Sequence, residues 1–169
     1  MNMRLGMIGS SITIITVLWV SGLYALDGAS EADKAFVGRV SQGGMYEVEA
    51  SKLAVQNAVE PDVRDLAIAE VHDHEGVNRK LKKISADKGV AVSDTLNSTF
   101  QQRLEKLKSA SGTDFDAAYI SDMQEIHDKD EKLFAQEATD GSDSFTSFAH
   151  ETYLIVRRHI GALLGLDVM

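Results

Sequence analysis

EVHDHEGVNRKL, residues 70–81, decides how the rest of the chain is read. Glu70, His74, Val77/Asn78 and Leu81 recur every three or four positions, which places them on one side of a helix. The same stripe continues back through Leu66/Ala67 to Val63 and forward to Ile84. It is apolar except at Glu70, His74 and Asn78, so a histidine sits in the middle of a face that must be buried. Pro61 suits the first turn of this helix, where its missing N–H has no intrahelical partner in any case. Gly89 suits its end. The spacing predicts a helix from Pro61 to about Lys88.

Three more long helices follow from the same period. Residues 32–59 carry Phe36, Val40, Gly43/Gly44, Glu47, Ala50/Ser51, Ala54 and Ala58 on one face, with Ser30 as N-cap. Gly43-Gly44 inside a helix costs roughly 1 kcal/mol per glycine relative to alanine, which points to close approach by a neighbour or to a kink. Residues 114–139 carry Phe115, Tyr119, Met123, Ile126/His127, Asp130 and Phe134, with Thr113 expected as the cap and Gly141 as the stop. Residues 143–164 carry Phe145, Phe148/Ala149, Thr152, Val156, His159/Ile160 and Leu163. A shorter helix, Leu96–Ala110, falls inside the long connection between the second and third of these. Two tight turns and one long crossover give an all-α, ferritin-like four-helix bundle with a short extra helix in the crossover, over residues 30–166.

Residues 1–25 read differently. Arg4 is the only charge before Asp27, and the segment between is uncharged with an apolar centre from Ile12 to Val20. A basic start, a compact apolar run and a small-residue site after Ala25 read as a secretory signal. The alternative is an uncleaved membrane anchor, since the uncharged run is long enough to span a bilayer. Either way the chain is expected to be exported, to the periplasm or cell envelope, with contact to a membrane only through this segment.

The whole chain of 169 residues has 17 Lys+Arg against 26 Asp+Glu, a formal net charge of −9. That surface repels phosphate backbones, so no nucleic-acid partner is expected. With no cysteine, disulfides, thiolate metal sites and cysteine catalysis are excluded. No nucleotide loop, nucleophile elbow or zinc-protease motif occurs.

Depth along the bundle groups the polar residues. Glu47 precedes the first turn, near residue 60, by about as much as His74 follows it, so both lie roughly 20 Å from it at 1.5 Å per residue. His127 and His159 flank Gly141 one helical turn out of step. Glu47, His74, His127 and His159 are therefore the expected metal ligands, with Glu70 and Asp73 as outer partners. Three imidazoles and a carboxylate suit a divalent ion, Zn first, with Fe, Mn or Cu also fitting; no organic cofactor is implied. The competing reading is that a buried histidine facing a glutamate is self-sufficient and only fixes helix register. His72, His150 and Glu49 fall on outer faces. Glu-x-x-His, which di-iron carboxylate bundles require, is absent, so an oxidoreductase of that kind is disfavoured and no enzymatic activity is expected.

These residues also resemble a family. Phe36-Val37, the run from Gly43 to Glu49 (GGMYEVE), Leu53-Ala54, Asp73-His74, Asn78 and Lys88-Gly89-Val90 are the first half of the match. Ser111-Gly112, Phe115-Asp116, Ala118-Tyr119, His127, Leu133-Phe134 and His159 are the second. Over residues 34–164 the chain resembles the bacterial exported family DUF4142, an uncharacterised ferritin-like family. The resemblance implies the ferritin-like bundle and an envelope location, and no reaction. The family pattern has Asp before both central histidines, whereas Ile126 stands before His127 here. A His-Gln of the family appears as Phe100-Gln101.

Overall fold

The computed structural model describes residues 28–166. The expected leader, residues 1–25, lies outside them. Five helices make up the fold: α1 Glu31–Asn57, α2 Pro61–Asp87, α3 Ser98–Lys108, α4 Gly112–Asp140 and α5 Asp143–Leu166. No helix among the described residues is long and apolar enough to cross a membrane.

α1 starts where its capping chemistry dictates. Ser30 Oγ accepts from Asp33 N at 3.0 Å, and Ser30 N donates to Asp33 Oδ2 at 2.6 Å, a reciprocal box that satisfies two end groups of the helix. α2 begins on Pro61 and ends before Gly89, whose φ of +71° is the left-handed turn that glycine adopts without strain. α3 is shorter than its apolar spacing predicts, because Asn97 Oδ1 accepts from Phe100 N at 3.0 Å and fixes the start. Thr113 does not cap α4. Gly112, at φ +59°, turns the chain into the helix first, so Ser111 is the N-cap and Thr113 lies inside the first turn.

α1 and α2 form one antiparallel hairpin, and α4 and α5 form the other. α1 packs on α4 and α2 on α5, which closes a four-helix bundle. The crossover from Lys88 to Ser111 runs the length of the bundle, and α3 within it lies against α1 and α4. This is the ferritin-like connection. The two ends are tied alike. Asp33 Oδ1, in the first turn of α1, accepts from Ser142 N in the α4–α5 turn at 3.0 Å. Asp116, near the start of α4, accepts from Val59 N and Glu60 N in the α1–α2 turn, the latter at 2.8 Å.

The core is two apolar clusters with a polar layer between them. Near the α1–α2 turn, Ala50 and Ala54 of α1 and Ala58 just after it make room for Tyr46, Phe115, Tyr119 and Met123. Near the α4–α5 turn, Phe36 meets Phe134, Phe145 and Phe148 edge-on at 5.5–6.4 Å between ring centres. Such edge-to-face pairs add about 0.5–1.5 kcal/mol each beyond their burial. Gly44 is where the close approach occurs: a Cβ there would stand 2.2 Å from Asn78 Oδ1.

Candidate metal centre

The polar layer takes Glu47 from α1, Glu70 and His74 from α2, His127 from α4 and His159 from α5. All five are at most 2% exposed. Glu70 and His74 are one turn apart on the same face, so one helix contributes an anion and an imidazole side by side. His127 and His159 meet despite their unequal distances from Gly141. Helical side chains lean toward their own N-terminus. His159 therefore leans toward the turn and His127 away from it, and the two rings close the offset from opposite sides.

One carboxylate and three ring nitrogens converge. Glu70 Oε2 lies 3.1 Å from His74 Nε2 and 3.0 Å from His159 Nδ1. Glu70 Oε1 lies 3.3 Å from His127 Nε2, and His127 Nε2 lies 3.2 Å from His159 Nδ1. One ligand atom from each of Glu70, His74, His127 and His159 falls within 4.8 Å of every other. Tetrahedral bonds of 2.0–2.1 Å, the zinc–nitrogen length, would set these atoms about 3.3 Å apart. The close separations match that edge.

Each ring's other nitrogen faces outward to an oxygen. His127 Nδ1 donates to Met123 O at 2.9 Å, which turns Nε2 inward. His159 Nε2 donates to Asp73 Oδ2 at 2.9 Å, which leaves Nδ1 inward. His74 Nδ1 lies 3.1 Å from Glu47 Oε2. By contrast, both oxygens of Glu70 and both nitrogens of His74 have no aligned hydrogen-bond partner. They sit at ion-pair distance with N–H directions off the oxygens. Buried polar atoms are almost always paired, so four such atoms in one layer call for a function.

Electrostatics hold the layer together. Burial opposes charge on His74, but Glu47 and Glu70 outweigh it and raise the imidazole well above its usual value. Burial likewise opposes His127, and Glu70 with Glu47 lifts it to about 9. Against burial, the imidazoles keep Glu47 lowered and Glu70 well below the carboxylate range. Asp130, buried beside Glu47, is pushed up to about 8 by burial and by that anion, so it is neutral at pH 7. The layer thus balances two carboxylates against two imidazolium ions.

All four expected ligands, Glu47, His74, His127 and His159, come together in this layer. Glu70 holds the inner position and Glu47 stands behind His74 Nδ1, which exchanges the places the spacing assigned to them. Asp73 is an outer partner, but of His159 rather than of its neighbour His74. Ile126 is 3% exposed and packs toward Gly43, and a carbonyl does for His127 what an acid at that position would do. His72, His150 and Glu49 are exposed. The stripe pattern alone gives Asp130 and the Met123 carbonyl no such roles; their 3–4 spacing from His127 is the signal that marks both.

Comparison with known proteins places the fold and the family. No curated protein matches the chain. Among solved structures it is similar to a DUF305 fragment from Deinococcus radiodurans, with a TM-score of 0.73 at 12% identity, over 82% of this chain and 97% of that one. That likeness is one of fold. The model of DUF4142, a domain of unknown function, matches residues 24–164, and the chain belongs to that family.

Proposed function

We propose that this protein is an exported ferritin-like bundle that holds one divalent metal ion in its core. Glu70, His74, His127 and His159 would hold it, with Glu47, Asp73 and the Met123 carbonyl fixing the three rings from behind. The observation that carries this reading is the convergence of one buried ligand atom from each of these four residues to within 4.8 Å of one another, with Glu70 and His74 lacking aligned hydrogen-bond partners. Three imidazoles and a carboxylate suit Zn²⁺, and Fe²⁺, Mn²⁺ or Cu²⁺ fit less closely. Four protein ligands close a tetrahedron and leave no position for substrate, which favours storage or buffering, or a structural cross-link of three helices, over catalysis. Charge supports the same reading. A dication with neutral imidazoles balances Glu47 and Glu70 as well as two imidazolium protons do.

That last equality also favours a second reading: the layer is complete as an ion-pair network and serves only to fix helix register in a non-enzymatic envelope protein. Metal analysis separates the two. Protein purified without added metal, then titrated with Zn²⁺ under a competing chelator, takes up one ion per chain on the first reading and none on the second. Export rests on the reading of residues 1–25. Mass spectrometry of the chain expressed with its own N-terminus tests it: a product starting near Leu26 supports a cleaved leader, and an intact Met1 product in the membrane supports the anchor.

A further inference from the structure

A core layer at most 2% exposed needs a path by which its contents exchange. The clefts beneath the crossover, around Met45, Asn78 and Asp94, include no member of the layer and none of its outer partners. Neither do the clefts beside Leu166. The cleft on the α2–α5 seam differs, because Asp73 lines it together with His72, Gly76 and Thr152. Asp73 faces both ways. Its Oδ2 accepts from the inner ring at His159 Nε2, 2.9 Å away, and from exposed Arg158. Its Oδ1 lies 3.2 Å from Nδ1 of His72, whose side chain is 87% exposed. Gly76 of α2 and Thr152 of α5 line the cleft beside it.

We infer that the α2–α5 seam at Asp73 is the route by which a divalent cation enters and leaves the core, and that the Arg158–Asp73 ion pair is its latch. The inference rests on the metal-holding reading and adds the path. His72 and Asp73 offer an imidazole and a carboxylate at the surface, the ligand types that the core uses. While Arg158 occupies Asp73 Oδ2, that oxygen is shared between guanidinium and His159. When Arg158 swings out, the carboxylate is free to take a cation, and release of His159 Nε2 lets the ring turn and pass it inward. Because Arg158 lies on the outer side, the latch governs rates in both directions and leaves the bound state alone.

Stopped-flow uptake of Co²⁺ by the metal-free chain, and its release to a chelator, test this on wild type, Arg158→Ala, His72→Ala and Arg157→Ala. Arg158→Ala is expected to speed uptake and release alike, on the order of 3–5-fold for loss of an exposed ion pair, with affinity unchanged. His72→Ala is expected to slow both. Arg157→Ala removes the same charge from a side chain paired with Glu131 instead, and should match wild type. Equal rates in wild type and Arg158→Ala, or an equal gain in Arg157→Ala, would overturn the route while leaving the site intact. A wild-type chain that takes up no Co²⁺ removes the route and the metal-holding reading together.

Discussion

The two hairpins of the bundle are built alike and contribute unlike chemistry. Each turn is tied down by an aspartate from the first turns of the other hairpin, Asp33 on Ser142 and Asp116 on Val59 and Glu60. Each sends inward-facing polar residues to the same depth. Yet α1–α2 supplies both anions of the layer, Glu47 and Glu70, with His74. α4–α5 supplies His127 and His159, and its one acid beside the layer, Asp130, is held neutral. A symmetric di-metal bundle needs carboxylates from both halves. Here one hairpin brings both anions and the other brings only imidazoles, which is the composition of a single nitrogen-rich centre.

That asymmetry predicts unequal losses. In the metal-free protein, Glu70→Ala leaves raised imidazoles without their counter-charge and should cost about 3–5 kcal/mol in urea unfolding. His159→Ala, from the other hairpin, should cost about 1–3 kcal/mol. Equal or reversed losses would break the division of labour between hairpins.

Inner and outer carboxylates should separate next. Glu70→Gln should abolish metal uptake, whereas Glu47→Gln should weaken it by about 10–100-fold, the usual effect of losing a group that orients a ligand. If Glu47→Gln is the more damaging, Glu47 is the ligand and the inner position of Glu70 does not describe the bound state.

Proton linkage gives the pH dependence. His74 and His127 are raised, the latter to about 9, so both carry protons at pH 7 in the metal-free chain. Uptake of one dication should then release about two protons, and log affinity should climb with pH until both imidazoles are neutral, which for His127 means above about 9. For the metal-free fold the sign is opposite. Stability from the raised His127 is fully present below its unfolded value of 6.5 and is lost as pH rises through about 9, and His74 acts in the same direction. Calorimetry in buffers of different ionisation enthalpy counts the protons; a count of zero contradicts the charge assignment.

The smallest effect lies at the α4–α5 end. Burial and the neighbouring Asp33 push Glu137 up to about 7. A raised carboxyl favours the fold below its unfolded value of 4.5, and that contribution is lost as pH rises through about 7. Glu137→Gln should therefore raise the Tm at pH 8, on the order of 2–4 °C, and change little at pH 5. No gain at pH 8 would show that Asp33 and Glu137 do not share a proton there.

The bundle was legible in the sequence because four stripes of 3–4 spacing, two tight turns and one long crossover leave few other arrangements. The polar layer was legible as a depth, since Glu47, His74 and His127 stand at similar distances from their turns. Its inner order was not. Backbone height does not say which of two carboxylates, Glu47 or Glu70, reaches the middle; the lean of side chains along each helix decides that. The same lean brings His159 to His127 across an offset that residue counting leaves open. Gly112 shows the local counterpart: its positive φ, invisible to pattern, moves the start of α4 ahead of Thr113.

The most direct test of the four-atom centre is the visible absorption of Co²⁺ added to the metal-free protein. The arrangement predicts one Co²⁺ per chain with the intense d–d bands of a four-coordinate nitrogen-and-oxygen site, displaced by Zn²⁺ and absent in Glu70→Gln. Weak six-coordinate bands, or no uptake at all, would contradict it.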